Sequence, residues 1–260
     1  MEDGRIDGRM PIEAQNEYFG ERARPGDSLI QFGGLIQCLG GNNMHRNEIA
    51  KRIDHTLLKP ETTQRDLDIL CQEAVRYGFA CVCVNPSNVP YVVDALRDSG
   101  IVVCSVAGFP LGAARTEVKA CEAGMAIGDG AGEIDMVLNI GELGNKRYAR
   151  VEQDIWQVRE AIGKGAILKV IIETPLLTEE EKIKATELVI SAGADYVKTA
   201  TGMNSGGATI EDVALLKRVA DGRIKVKAAG GIRDHATAIA MIRAGADRIG
   251  TSTGPKILGT

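Results

Sequence analysis

From residue 47 onward the chain alternates short apolar runs with helix-length amphipathic stretches, and the alternation repeats eight times. The runs are RIDHTLL (52–58), FACVCVN (79–85), IVVCSVAG (101–108), EIDMVLN (133–139), ILKVIIE (167–173), DYVKTAT (195–201), IKVKAAG (224–230) and DRIGTS (247–252). Such alternation predicts βα units around a parallel sheet, whose strands are covered on both faces and read as apolar throughout. The helical stretches open on residues whose side chains accept a backbone N–H: Thr62 before 63–77, Thr178 before Glu179, Glu180 and Glu181, and Asp234 before 235–244. Gly78, Gly193 and Gly245 close three of them. Eight units between residues 47 and 254 close most economically into a (β/α)8 TIM barrel. An open doubly wound sheet is the alternative; it would leave two edges exposed, and the early G-x-G-x-x-G turn is missing.

Residues 1–43 lack sustained periodicity and are rich in Gly, Asn and charge, so they read as a weakly ordered extension with one short apolar element around Leu29 to Leu39. The barrel domain is expected over 44–260 and the extension is expected to be dispensable for catalysis.

Composition removes several classes of function. Apolar residues make up 44%, enough for the core of one barrel of about 250 residues or of two small domains, between which length alone does not choose. The net charge is −4 and the basic residues form no stripe, which argues against nucleic acid. Six cysteines contain no C-x-x-C pair, and four fall inside apolar patterns, which points to a reducing cytoplasm. The start MEDGRIDGRM lacks the features of an export signal, and LIQFGGLIQCLGG is too short and too broken to span a bilayer, so no membrane anchoring is expected.

Against this background four neighbouring strands carry charge: Asp135, Lys169, Lys198 and Lys227. Side chains alternate along a strand, so all four can point into the barrel as one cluster. Desolvating an ammonium costs several kcal/mol, so these groups either compensate one another or do chemistry. Two ammonium groups about 6 Å apart at an effective dielectric near 20 repel by roughly 2.8 kcal/mol, about two pK units. Repulsion of that size would free an amine for nucleophilic attack near neutral pH. The plainer alternative is that the lysines snorkel out of the barrel or pair with Asp135 and Glu133; Lys225, nearer its strand start, is expected to do so.

Three glycine-rich segments follow successive strands: TATG (199–202) with Gly206 and Gly207, AGGIR (229–233), and GTSTG (250–254). Loops after the seventh and eighth strands of such barrels commonly hold a phosphate, because glycine lets backbone N–H groups approach the anion. Arg233 and the hydroxyls of Ser252 and Thr253 can add hydrogen bonds; tight turns without a ligand are the alternative. Metal chemistry competes poorly: His45, His55 and His235 have no ligand spacing, and Cys81 and Cys83 share one strand without a partner pair. No metal and no cofactor is expected.

Taken together, IDHTLLKP (53–60), ACVCVNP (80–86), GFPLG (108–112), GEIDMVLNIG (132–141), ILKVIIET (167–174), AGADYVKTATG (192–202), VKAAGGIR (226–233) and RIGTSTG (248–254) resemble the deoxyribose-phosphate aldolase family. The resemblance implies a class I, Schiff-base aldolase that reversibly cleaves 2-deoxy-D-ribose 5-phosphate to D-glyceraldehyde 3-phosphate and acetaldehyde. It implies that Lys198 forms the imine, that Lys227 perturbs its amine, and that Asp135 moves a proton with a bound water. Lys169 is supporting and Asp54 shapes the pocket. Phosphate binding falls to Thr201, Gly202, Gly230, Gly231, Arg233, Gly250, Ser252 and Thr253. The chain departs from the family in its long N-terminal segment, in Met203 where many members have Phe or Lys, and in ending KILGT without the tyrosine that some members use in proton transfer. A different Schiff-base aldolase or transaldolase acting on another sugar phosphate and a non-catalytic phosphosugar-binding barrel stay open, as does self-association into a dimer or tetramer.

Overall fold

The computed structural model describes residues 29–32, 35–38 and 44–259. Strands β1 (Leu29–Phe32) and β2 (Leu35–Cys38) pair antiparallel, with Phe32 opposite Leu35, where one short apolar element is expected. The remainder of the expected extension lies outside the described residues.

A separate compact unit begins at His45. After a short helix, α1 (Arg46–Ala50), come eight parallel strands: β3 (Ile53–Leu57), β4 (Cys81–Val84), β5 (Val102–Ala107), β6 (Glu133–Val137), β7 (Ile167–Ile171), β8 (Tyr196–Lys198), β9 (Lys225–Ala229) and β10 (Arg248–Thr251). Pairing of β10 with β3, Ile249 opposite Ile53, closes the barrel, and the open-sheet alternative falls. Helices α2 (Gln64–Tyr77), α3 (Val89–Ala95), α4 (Thr116–Gly128), α5 (Ile140–Gly144), α6 (Tyr148–Ile162), α7 (Glu179–Ser191), α8 (Ile210–Ala220), α9 (His235–Arg243) and α10 (Gly254–Ile257) follow the strands in turn. The expected (β/α)8 architecture is thus the observed one. No described helix is long and apolar enough to cross a membrane.

Local chemistry explains the boundaries. Helix α2 starts one residue later than expected because Thr63 forms the reciprocal cap: its hydroxyl accepts the Asp66 N–H, and the Asp66 carboxylate accepts the Thr63 N–H at 2.9 Å. Thr178 and Asp234 cap α7 and α9 as expected. Gly78 ends α2 at φ 67°, a left-handed position that favours glycine. Along the strands one parity is apolar and faces the helices, as with Ile53, Val82, Ile134, Leu168, Val197, Val226 and Ile249, all fully buried. The other parity faces the barrel axis, and there the charged residues lie. Lys225 is exposed at the start of β9, its Nζ 5.6 Å from the centre of the Tyr196 ring, as expected for a snorkelling lysine.

The largest departure is β8, expected over 195–201 and observed over three residues. Thr199 leaves the regular ladder: its Oγ1 donates to the Ala229 carbonyl and accepts the Ala229 N–H, both at 2.9 Å. A side chain therefore continues the β8–β9 junction, and the backbone is released into the loop that follows.

Candidate active site

The interior charges form one network centred on Asp135. Lys169 donates to Asp135 Oδ1 at 2.9 Å, while Lys198 and Lys227 share Oδ2 at 2.6 and 2.7 Å. Strand register produces this: Asp135 lies opposite Lys169, and Lys198 lies opposite Lys227. Lys227 also pairs with Asp54, and Lys169 reaches Glu133 at 2.5 Å and Asp54 at 3.7 Å. Arg248, from the first residue of β10, closes the far side with contacts to Asp54 at 2.6 Å and Glu133 at 3.3 Å. Four cations meet three carboxylates, and every member except Arg248 is almost completely buried.

For Lys169 and Lys227 this arrangement reverses the expectation that repulsion among the lysines frees an amine. Burial opposes charge on Lys169, but Asp135, with Cys104, Asp54 and Glu133, outweighs it and raises the Lys169 pKa well above the usual lysine value. Burial likewise lowers Lys227, yet Asp135 and Asp54 prevail and raise it. Burial would lift the carboxyl groups too; Lys169, Lys198 and Lys227 hold Asp135 well below the ordinary range, and Lys227, Lys169 and Arg248 hold Asp54 at about 2. Lys227 and Lys169 are therefore fixed cations.

One member of the cluster opens to a cavity. A pocket of about 240 Å³ is lined by Lys198, while Asp135, Lys169, Lys227 and Asp54 stand behind it. The rest of its wall includes Thr201, Gly202, Gly230, Gly231, Arg233, Gly250 and Ser252, so seven of the eight residues expected to hold a phosphate share one cavity with Lys198. The glycines have a steric reason to be there. At Gly250 a Cβ would come within 2.9 Å of Ala229 Cβ and 3.2 Å of Lys227 Cε.

Thr253 is the exception. It is not on that wall, and its hydroxyl donates to the Arg233 carbonyl at 3.3 Å while its N–H donates to Thr251 Oγ1, so it ties the loops after β9 and β10 together. Thr201 is on the wall, but its N–H is already donated to the Glu173 carboxylate, which leaves its hydroxyl as its donor.

Other residues escaped sequence reasoning. Arg248, the first residue of β10, was not singled out, whereas Glu133, which shares the parity of Asp135, had figured as an ion-pair partner. Lys59, in the loop after β3, also lines the cavity. Cys83 and Cys104 are register partners on β4 and β5, so the thiols do have a partner across strands. Cys83, Cys104 and Asp135 place possible ligand atoms within 4.8 Å, as do Cys81, Cys104 and Glu133. The cation found among them is the Lys169 ammonium, 3.4 Å from Cys104 Sγ. His55 and His235 are engaged elsewhere, with Glu73 and the Ile257 carbonyl.

Fold and site together define a barrel enzyme with a lysine at the floor of its cavity. The chain belongs to the DeoC/LacD family of aldolases, whose model matches residues 49–259. Among curated relatives, the deoxyribose-phosphate aldolase of Carboxydothermus hydrogenoformans is 56% identical over 214 residues, covering 81% of this chain and 94% of that protein. The Thermococcus kodakarensis enzyme of the same name is 55% identical over 218 residues, covering 83% and 97%. A crystal structure of a putative deoxyribose-phosphate aldolase from Coccidioides immitis matches with TM-score 0.81 and 47% identity, covering 83% of this chain and 86% of that one. The tetrameric deoxyribose phosphate aldolase of Aeropyrum pernix matches with TM-score 0.78 and 37% identity, over 83% and 91%.

Proposed function

We propose that this aldolase reversibly cleaves 2-deoxy-D-ribose 5-phosphate to D-glyceraldehyde 3-phosphate and acetaldehyde through an imine on Lys198. The observation that carries the reading is the exposure of Lys198, among the three buried strand lysines, to a cavity whose opposite wall is made of glycine loops. The names of the relatives agree with the substrate.

In this reading the Lys198 amine adds to the aldehyde carbon of the open-chain sugar, and loss of water gives a protonated imine. The hydroxyl on the third carbon gives up its proton and the bond between the second and third carbons breaks. Its electron pair flows into the imine to form an enamine, and glyceraldehyde 3-phosphate leaves. Protonation of the enamine carbon and hydrolysis of the imine release acetaldehyde and restore the amine. Asp135 touches Lys198 and serves as the acid/base group, relaying the proton through water. Lys227, bonded to the same Asp135 oxygen as Lys198, places a fixed positive charge beside the reacting amine. Lys169 and Asp54 hold Asp135 and Lys227 in place.

At the other end of the cavity the phosphate lies against Gly202, Gly230, Gly231, Gly250 and Ser252, with Arg233 and the Thr201 hydroxyl as further donors. Binding energy at this remote group positions the reacting carbons. The same proposal places the chain in a reducing cytoplasm as a dimer or tetramer. The six cysteines without a C-x-x-C pair support the compartment, and the tetramer of the A. pernix relative supports the assembly.

The test is synthesis as well as cleavage: the protein should make deoxyribose 5-phosphate from acetaldehyde and D-glyceraldehyde 3-phosphate. Transfer from a ketose phosphate donor instead would identify a transaldolase, and binding of the sugar phosphate without turnover would identify a non-catalytic barrel.

A further inference from the structure

Glu173 stands two residues beyond β7 with φ 57° and ψ 61°, in the left-handed region that side chains other than Asn and Asp rarely take. Its side chain is 1% exposed, and among the described residues it forms no ion pair. The carboxylate accepts the Thr201 N–H, at 3.3 and 3.2 Å to its two oxygens, and the Asn204 side-chain amide at 3.2 Å. A buried carboxylate without a cation, on a strained backbone, calls for a structural or chemical reason.

The neighbouring hydrogen bonds supply one. Ile172 N–H donates to the Lys198 carbonyl at 3.0 Å and Thr174 N–H to the Thr199 carbonyl at 2.8 Å, so the chain after β7 still pairs with the end of β8. At Thr201 the Glu173 side chain takes over as the acceptor. Only the left-handed turn at Glu173 lets its side chain point along β8 while the backbone on either side keeps pairing. Beyond it the 201–207 loop is held from both sides: a Cβ on Gly206 would lie 2.7 Å from Pro175, and one on Gly207 would lie 2.4 Å from the Gly230 carbonyl oxygen. Thr201 and Gly202 belong to the cavity wall three and four residues after Lys198.

We propose that Glu173 is a positioning residue whose buried carboxylate clamps the 201–204 loop and thereby sets the spacing between Lys198 and the anion-binding end of the cavity. The proposal rests on the phosphate site described above. The clamp gives the enzyme its preference for phosphorylated over unphosphorylated sugar, since a loop free to drift would misplace the anion donors and leave the amine untouched.

Glu173→Gln keeps the volume, but one end of the amide now presents N–H groups to the Thr201 N–H or the Asn204 amide. Glu173→Asn tolerates the left-handed backbone and is one methylene too short to reach, so it removes the clamp without straining the turn. Both variants, confirmed folded by thermal unfolding, should raise KM for deoxyribose 5-phosphate by about tenfold, the scale of one lost hydrogen bond to a charged group. Turnover of unphosphorylated deoxyribose and borohydride trapping of acetaldehyde should change by less than about twofold. Asn204→Ala, which leaves the Thr201 bond, should show a smaller change in the same direction. Equal losses on both sugars, or no change on either, overturn the proposal. Arg233→Met is the control for the underlying reading. If it leaves the phosphate preference intact, the phosphate site itself is wrongly placed; if it lowers the preference while the Glu173 variants do not, the clamp alone fails.

Discussion

Two buried carboxylates, Asp135 and Glu173, sit in regions of the barrel that solve opposite problems. Asp135, in the interior, is contacted by three ammonium groups within 2.9 Å. Glu173, at the rim, receives one backbone N–H and one amide, all beyond 3.1 Å. The interior carboxylate holds charge, and it does so with side chains from three different strands. The rim carboxylate holds backbone, and its partners come from a single loop. The contrast teaches that burial of an acid does not by itself mark acid–base chemistry; the charge and reach of its partners do.

If the interior is the chemical half, the largest effect comes from removing its amine. Lys198→Arg keeps a cation against Asp135 but offers no neutral amine, so turnover should fall on the order of 10³-fold or more while the fold survives. Activity within tenfold of the native protein would move the chemistry elsewhere.

Asp135→Asn should come next. Loss of a general acid/base group costs about 10² to 10⁴ in turnover, and stripping the counter-charge from three buried ammonium groups should cost about 3–5 kcal/mol of stability. Urea unfolding and steady-state kinetics measure the two losses separately. A variant that loses activity at unchanged stability would mean that the lysines release their protons or are reached by water.

How far this was legible in the chain depends on the kind of signal. A charge within an apolar run stands out, so Asp135, Lys169, Lys198 and Lys227 were visible, as were the eight strands and the glycine loops. Strand register is not written in one sequence, and it is register that sets Cys83 beside Cys104. Barrel closure likewise lets Arg248 on β10 reach Glu133 on β6, four strands away across the interior. The count of lysines suggested repulsion, whereas Asp135 and Asp54 reverse the sign for Lys169 and Lys227, with Glu133 adding to it at Lys169. Glu173 was hidden because IIET continues the strand pattern, and a left-handed residue after it has no compositional signature.

The rim makes a smaller prediction. Ser252→Asp puts a like charge on the cavity wall and should reduce the preference for deoxyribose 5-phosphate over deoxyribose by about tenfold, leaving the neutral sugar nearly unaffected. Parallel losses on both sugars would remove Ser252 from the anion site.

The smallest effect concerns acid. Asp54 is held at about 2, below its ordinary 3.8, so its contribution to stability is full above 3.8 and is lost as pH falls from there through about 2. Asp135, also held low, acts in the same direction. Lys227→Met removes the cation nearest Asp54 and lets that carboxyl rise, so acid destabilisation should begin at higher pH in the variant. Urea midpoints from pH 6 to pH 3 would show it. An identical onset in both proteins would mean that Lys169 and Arg248 suffice.

The central claim is that, of the three buried strand lysines, the one open to the cavity forms the covalent intermediate. Incubation with acetaldehyde and borohydride, followed by peptide mass mapping, tests it most directly. The account predicts a two-carbon adduct on Lys198 and none in Lys198→Arg. An adduct on Lys169 or Lys227 in the native protein, or no adduct at all, would contradict it.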